Sequence, residues 1–246
     1  MLNNYFIKEN YRASDKIETL ESKNKIYWTK HRIEQSYIDQ YSTYKFCKKL
    51  VKKKKINNIL DIGCGPASKL MKLIYPICKE IYGIDQKRII NYCKKGYKLN
   101  NFFVDDIENP TFPLKKKFDL VICADVIEHL LNPDKLISYI KNYTNQDSYI
   151  VLSTPERDLL RGKDCQFSPK KEHVREWNTI EFIRYLKYNN LQINMHKIVN
   201  SYKKIKINLR YSIKKIKIDF MDLLLILLRK KNIKTCQLVS CKIGKS

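Results

Sequence analysis

The feature that most constrains the fold is a glycine turn between an apolar run and a helical pattern, at residues 58–70. The apolar run at 59–62 is typical of a buried central strand of a parallel sheet. Gly63 and Gly65 allow a turn that a Cβ would block, and they let a ligand approach the backbone. From Ser68 onward, apolar residues follow helical spacing. The free N–H groups at such a helix start would face a ligand lying over the turn.

Two ligand classes use a turn of this kind, and a structural strand–turn–helix without a ligand is a third interpretation. A dinucleotide site has the pattern G-x-G-x-x-G, whose third glycine allows close packing of helix on strand. Ser68 stands at that third position. A dinucleotide oxidoreductase is therefore disfavoured. The residues downstream have to distinguish the second ligand class from a turn that binds no ligand.

Strand and helix patterns alternate along the chain after the turn. We predict strands over 81–85, 101–106, 118–124, 148–153, 191–199 and 235–243, and helices over 33–50, 88–97, 133–143 and 179–188. Such alternation implies right-handed crossovers and a sheet covered on both faces. The expected fold is α/β, a Rossmann-like doubly wound sheet, mostly parallel, with an antiparallel last strand beside 191–199.

Acidic residues end two of the predicted strands. Asp85 follows Gly63 by 22 positions and ends the second strand, where a carboxylate can accept both hydroxyls of a ribose. Asp106 ends the third strand. Open α/β sheets bind ligands at this carboxyl edge. The plain alternative is that both aspartates are solvated residues at strand ends. However, the aspartates and the glycine turn all follow carboxyl ends of strands, which favours a nucleoside-containing ligand.

Two motifs identify a family resemblance that covers about residues 56–199. The glycine turn, as Leu60-Asp61-Ile62-Gly63-Cys64-Gly65, resembles motif I of class I S-adenosylmethionine-dependent methyltransferases. The run from Phe118 to Leu130, with D-V-I-E-H-L at 125–130, resembles their motif IV. The chain is thus similar to the broad type 11/12 group, which includes ubiquinone-biosynthesis O-methyltransferases. The segment 153–177 is also similar to bacterial members often encoded with glycan-modifying enzymes.

The resemblance implies an S-adenosylmethionine site and a set of residues for it. In this family pattern, Asp106 would accept a hydrogen bond from the adenine amino group and Ile107 would pack on the ring. The implied cofactor-binding residues are Asp61, Gly63, Gly65, Asp85, Asp106, Ile107 and Asp125, and the implied catalytic residues are Glu128, His129 and His173.

A further resemblance implies a divalent metal ion. Small-RNA 2′-O-methyltransferases carry E-x-x-E-H and a later H-x-x-E-W, which bind a cation beside a ribose diol. Here Asp125-x-x-Glu128-His129 and His173-x-x-Glu176-Trp177 are similar, which implies the ligands Asp125, Glu128, His129 and His173. Aspartate in the first place has a shorter reach than glutamate. One alternative is that Glu128 and His129 are supporting or capping residues and that His173 only hydrogen-bonds its loop. If the site is catalytic without a metal ion, His129 or His173 would be the general base.

The expected reaction is methyl transfer from S-adenosylmethionine to a hydroxyl of a sugar, another hydroxylated small molecule or a glycan. The alternatives are an RNA methyltransferase, for which basic residues should cluster on the surface, and a non-catalytic scaffold that binds no cofactor. We expect an arm at 1–30 and a loop at 156–176 to close over the acceptor.

Composition indicates one domain of 246 residues with a net charge of +24. Within a single domain 1–246, we expect an N-terminal arm or lid at 1–50, a core at 51–199 and 235–246, and an amphipathic insertion at 200–234. The excess of 40 lysines over 9 arginines is spread along the chain, which favours compositional drift over a nucleic-acid surface. Nucleic acid is therefore a less favoured partner than a small-molecule or glycan acceptor.

The cysteines and the insertion bear on location. Eight cysteines occur without a C-x-x-C pair, which is typical of buried thiols in a reducing compartment, so we expect a cytoplasmic protein. Basic residues accompany the apolar stripe of 200–234. Packing on the domain is the simpler interpretation, and peripheral membrane contact is the alternative.

Overall fold

The computed structural model describes residues 5–111, 115–200 and 234–244. Within these residues, one seven-stranded sheet has the order β3-β2-β1-β4-β5-β7-β6. The strands are β1 Asn58–Ile62, β2 Glu80–Asp85, β3 Phe102–Val104, β4 Leu120–Ala124, β5 Tyr149–Pro155, β6 Leu191–Val199 and β7 Cys236–Ile243. The pairs β1–β2, β1–β4, β2–β3 and β4–β5 are parallel. The last strand, β7, lies between β5 and β6 and is antiparallel to both, which confirms the expected fold.

Helices flank the sheet and two short turns of helix join its strands. The helices are α1 Lys30–Gln35, α2 Tyr41–Lys54, α3 Lys87–Tyr97, α4 Pro133–Asn142, α5 Arg157–Arg161 and α6 Thr179–Tyr188. A π-helical turn covers Leu70–Ile74 and a 3-10 turn covers Ile127–His129. The helical pattern after Ser68 is thus a short turn.

The prediction of one helix over 33–50 is wrong. The chain makes α1 and α2, separated by residues 36–40. Gln40 has a left-handed backbone with φ 49° immediately before α2, so the helix cannot run through it. Apolar periodicity continues across the break, which is why the pattern resembled a single helix.

The core has one layer on each face of the sheet. Leu60 and Ile62 of β1 face the side covered by α4 and α6, where they join the hydrophobic cluster that contains Leu136 and Phe182. Ile59 faces the opposite side, which α2 and α3 cover. Alternate residues of a strand therefore pack on opposite layers, as a parallel sheet buried on both faces requires.

The predicted loop 156–176 contains α5 and is tied to the motif around Glu128. The backbone N–H groups of Val174 and Arg175 donate to the Glu128 carbonyl at 2.8 and 3.3 Å. The Arg175 guanidinium donates to the carbonyls of Leu130 and Leu131 at 3.1 and 2.9 Å. These bonds place the end of the loop beside the 3-10 turn at the carboxyl edge of the sheet.

The amphipathic insertion predicted at 200–234 lies, except for its two end residues, outside the described residues. Within the described ranges, we find no helix that is both long enough and apolar enough to cross a bilayer.

Arg157 provides a stability prediction, because its side chain is 1% exposed and joins the end of β5 to α6. It donates to both carboxylate oxygens of Glu181, at 2.7 and 2.9 Å. We expect Arg157→Met to lower the free energy of unfolding by about 3–5 kcal/mol, because it leaves a buried carboxylate without its partner. Urea denaturation measures this. The double variant Arg157→Met/Glu181→Gln should lose less than the sum of the single variants, and additive losses would contradict the coupling.

Candidate active site

A cavity of about 1250 Å³ opens at the carboxyl edge of the sheet. It lies over the segments that follow β1 to β5, as expected for a ligand site in an open α/β sheet. Of the predicted site residues, Gly63, Gly65, Asp85, Asp106, Ile107, Asp125, Glu128, His129 and His173 line this cavity. The remaining one, Asp61, lies beneath the glycine turn.

Both glycines of the turn have backbones that a side chain would strain. Gly63 has φ 69°, and a Cβ built on it would lie 2.4 Å from Cγ2 of Val126. Gly65 has φ 54°, and its Cβ would lie 2.7 Å from Cη2 of Trp28. The backbone N–H of Gly63 donates to the carbonyl of Ile84 at 2.8 Å, which holds the turn against β2. The backbone of this turn can therefore approach a ligand closely.

The Asp85 carboxylate holds the turn from the end of β2. Its two oxygens accept from the backbone N–H groups of Gly65 at 2.8 Å and Gln86 at 2.7 Å. Burial raises the pKa of Asp85 to about 6. Because each carboxylate oxygen has two lone pairs, Asp85 can also accept from the hydroxyls of a bound ribose.

Asp61 lies in β1, two residues before Gly63. Its side chain is fully buried, one oxygen accepts from the Tyr44 hydroxyl at 2.7 Å, and the other has no partner among the described residues. Burial raises the pKa of Asp61 to about 7. Lys69 is also buried, donates to the carbonyl of Ser36, and has its pKa lowered by burial to about 8. These bonds tie β1 and the helical turn after it to residues 36–44, and the sequence did not single out Tyr44 or Lys69 for this role.

The end of β3 presents two aspartates with different surroundings. Asp105 is buried and accepts from the Tyr139 hydroxyl at 2.7 Å and the backbone of Thr111 at 2.8 Å. Asp106 is exposed and lines the cavity with Ile107. Asp105 also lines the cavity, so the two aspartates differ in exposure and in their hydrogen-bond partners, a difference that strand alternation alone indicates only weakly.

The N-terminal arm closes the cavity above the glycine turn. The Gln86 side chain accepts from the backbone of Glu21 and donates to the carbonyl of Thr19, both at 2.8 Å. The Glu21 carboxylate in turn accepts from the backbone of Trp28 at 2.8 Å, and the Trp28 ring lies against Gly65. Gln86 and Glu21 therefore hold the arm in place, and no local pattern had marked either residue.

Three of the four predicted metal ligands converge in the cavity. Glu128, His129 and His173 each offer one ligand atom, and these atoms lie within 4.8 Å of one another. The two imidazole rings have centroids 4.9 Å apart and are nearly perpendicular, at 83°. The motif around Glu128 and the later motif thus form one cluster.

Each of the two imidazoles is oriented by a hydrogen bond at its Nδ1 atom. Nδ1 of His129 lies 2.6 Å from the carbonyl oxygen of Glu172, and Nδ1 of His173 lies 2.6 Å from Oε1 of Glu176. Although burial opposes ionisation, hydrogen bonds from His173 and Arg161 lower the pKa of Glu176 to about 2. Both partners accept, so each Nδ1 carries a proton, and in a neutral ring each Nε2 would keep a lone pair.

Glu128 completes the cluster with a buried carboxylate. Its Oε2 accepts from Thr154 at 3.0 Å, and its Oε1 is buried without a partner among the described residues. Burial lowers the pKa of His129 to about 3, so this imidazole is neutral. A buried carboxyl oxygen near two imidazole nitrogens is a donor set that divalent cations bind, so these residues fit a metal ion.

Asp125 lies beside this cluster and outside it. The three-residue group with ligand atoms within 4.8 Å does not include it. One oxygen of Asp125 accepts from the Ser153 hydroxyl at 2.5 Å. Its role as a fourth ligand stays a prediction.

The pattern of a methyltransferase domain matches residues 30–201, well over half of the chain. The chain belongs to the methyltransferase domain family. This confirms the family expected from motifs I and IV. It also confirms the Rossmann-like fold and the S-adenosylmethionine-dependent class of enzyme.

Individual relatives are distant. The chain is 27% identical over 165 residues to the small RNA 2′-O-methyltransferase of Mus musculus. The aligned region covers 56% of this chain and 39% of that protein. It is 27% identical over 112 residues to the ubiquinone biosynthesis O-methyltransferase of Glaesserella parasuis, covering 40% and 45%. The match therefore spans less than half of each relative.

A solved structure supports the fold of this methyltransferase. The S-adenosylmethionine-dependent methyltransferase from Clostridium acetobutylicum superposes with a TM-score of 0.59 at 14% identity, covering 86% of this chain and 95% of that one.

Trp28 offers a direct test of ligand binding at the turn. The chain has two tryptophans, and Trp177 is fully buried in the core while Trp28 lies on Gly65. We expect S-adenosylhomocysteine to change the tryptophan emission of the wild type, because it would alter the surroundings of Trp28. Trp28→Phe should lose this response but still bind in calorimetry. An unchanged response in Trp28→Phe would place the ligand elsewhere.

Proposed function

We propose that this protein transfers a methyl group from S-adenosylmethionine to one oxygen of a vicinal diol, with a divalent cation beside the acceptor. The observation that carries the proposal is the convergence of Glu128, His129 and His173 in the cavity that also contains the glycine turn. A methyl donor and a chelated diol would then share one enclosed space.

The residues around the turn would hold the cofactor. Asp85 would accept from the ribose hydroxyls, and the backbone at Gly63 and Gly65 would lie against the ligand. Asp106 and Ile107 would recognise the adenine. When bound, S-adenosylmethionine supplies a methyl group that is already electrophilic, so the protein's task is to align the acceptor oxygen and remove its proton.

The cluster would hold the metal ion and orient the acceptor. Glu128 would bind through Oε1, and His129 and His173 through Nε2, because their other polar atoms already have partners. A bound divalent cation lowers the pKa of a hydroxyl that it coordinates. The Glu172 carbonyl and the Glu176 carboxylate would keep both imidazoles in the ligand tautomer. Asp125 remains a proposed fourth ligand.

A ribose hydroxyl of RNA is the acceptor that we favour. Two neighbouring oxygens suit a chelating cation, and a terminal ribose and a catechol both provide such a pair. One relative is named for 2′-O-methylation of small RNA, which is methylation of a ribose hydroxyl, and another for O-methylation in ubiquinone biosynthesis. The expected sugar or glycan acceptor has no support among the relatives. A scaffold function would require that S-adenosylhomocysteine does not bind.

The metal site can be tested without an acceptor. We expect the wild type to bind Mn²⁺ in calorimetry and His173→Ala to bind it at least about tenfold more weakly, since it loses one ligand. His31→Ala is the matched control, because His31 lines the same cavity outside the cluster. Equal Mn²⁺ affinity in His173→Ala and His31→Ala would contradict the site.

Chelation tests the link to chemistry. Excess EDTA should abolish methyl transfer to an RNA oligonucleotide with a free terminal diol, while S-adenosylhomocysteine affinity stays unchanged. Full transfer in excess EDTA would make His129 or His173 a metal-free general base.

The cofactor site is tested by Asp85→Asn. The amide keeps the shape but replaces one acceptor oxygen with a donor, so we expect S-adenosylhomocysteine to bind roughly tenfold to hundredfold more weakly, as for loss of a charge-assisted hydrogen bond. Asp147→Asn, at a fully exposed position, is the control in the same calorimetric titration. Binding of NAD with no response to S-adenosylhomocysteine would refute the assignment.

A further inference from the structure

We propose that the acceptor carries a phosphate ester and that this phosphate binds in a basic groove next to His173. The groove is a second cavity of about 280 Å³, and we call it the basic groove throughout. Four cationic residues line it: Arg12 and Lys16 from the N-terminal arm, and Lys170 and Lys171 from the segment after α5. This inference rests on the proposed function, because it describes the substrate of the same site.

The basic groove adjoins the active-site cavity. His173 and Lys170 line both spaces. His173 also belongs to the cluster with Glu128 and His129. One molecule can therefore place a hydroxyl at the cluster and an anionic group in the groove.

Backbone hydrogen bonds hold the two walls of the groove together. The N–H of Arg12 donates to the carbonyl of Gln166 at 2.7 Å, and the N–H of Ser14 donates to the carbonyl of Val174 at 2.8 Å. Val174 in turn donates to Glu128 at 2.8 Å, so the groove and the cluster belong to one hydrogen-bonded unit. The two backbone segments that carry the cationic residues of the groove are therefore held next to each other.

The charges of the groove favour an anion. Its lining contains one acidic residue, Glu18, and this carboxylate is paired with Lys25. Among the ion pairs of the described residues, Arg12, Lys16, Lys170 and Lys171 have no carboxylate partner. Four like charges around a small space raise the local potential, which a phosphate would neutralise.

An aromatic ring favours a nucleotide as the carrier of the phosphate. Phe167 lines the groove and is 57% exposed, and the Arg12 guanidinium lies 5.9 Å from its ring centroid. An exposed ring beside cations is a surface on which a base of single-stranded RNA can stack. The lysine excess of the whole chain is thus accompanied by a local cluster of the kind expected for an RNA methyltransferase.

The test uses fluorescence anisotropy of a 5′-labelled 12-nucleotide RNA with a terminal 2′,3′-diol. We expect Lys16→Glu/Lys171→Glu to weaken RNA binding at least about tenfold. The slope of the logarithm of the binding constant against the logarithm of the salt concentration should become shallower by roughly one to two, because up to two phosphate contacts are lost. The matched control is Lys53→Glu/Lys187→Glu, two exposed lysines near the ends of helices that lead into β1 and β6. Lys16→Gln/Lys171→Gln removes the same two charges without adding negative ones, so it should lose less RNA affinity. This milder variant keeps the test valid if Lys16→Glu/Lys171→Glu does not fold.

Competition distinguishes the sources of phosphate. Displacement of the RNA by ribose 5-phosphate but not by ribose would support the phosphate site. Direct calorimetric binding of ribose 5-phosphate without RNA binding would support it for a small phosphorylated acceptor. The proposal is wrong if the wild type binds neither probe at low salt, or if groove and control variants lose RNA affinity equally. S-adenosylhomocysteine and Mn²⁺ affinities, measured on the same variants, report separately on the proposed function.

Discussion

The site depends on one backbone interaction, the acceptance of two N–H groups by the Glu128 carbonyl. Val174 and Arg175 donate these bonds at 2.8 and 3.3 Å. They join the turn after β4 to a segment more than forty positions later, and they place His173 beside His129. Because the bonds use the main chain, the approach of the two motifs does not depend on the side chains that would bind a ligand. The Arg175 guanidinium extends the same junction to the Leu130 carbonyl at 3.1 Å.

Charged residues around the cluster hold the groups that orient its two imidazoles. Arg161 pairs with Glu176, which accepts from His173. Arg32 of α1 pairs with Glu172, whose carbonyl faces His129. Each imidazole is thus oriented by a glutamate that is itself held by an arginine. The second pair also links the arm to the segment 156–176, so the residue whose carbonyl orients His129 also holds the arm through its side chain.

The sequence was most informative where function depends on local spacing. The glycine turn, Asp85 and the motif around Glu128 follow strand ends, so alternation of strands and helices was enough to place them at one edge. Prediction from the sequence failed where tertiary contacts determine the backbone conformation. At Gln40, a left-handed conformation divides the predicted helix 33–50. Arg12 and Lys171 lie far apart in sequence, so their common groove could not be recognised from a charge count.

Asp125 shows how a single methylene bears on the proposed chemistry. Its carboxylate accepts from the Ser153 hydroxyl at 2.5 Å, whereas Glu128 leaves one buried oxygen without a partner in the described chain. The bond from Ser153 uses one lone pair of one Asp125 oxygen, whereas binding through Glu128 would satisfy an unpaired buried atom. Glu128 is therefore the better placed of the two carboxyl ligands, and Asp125 stays the proposed fourth ligand. On the proposed function, an octahedral cation held by three or four protein ligands would still leave coordination positions for both oxygens of a diol.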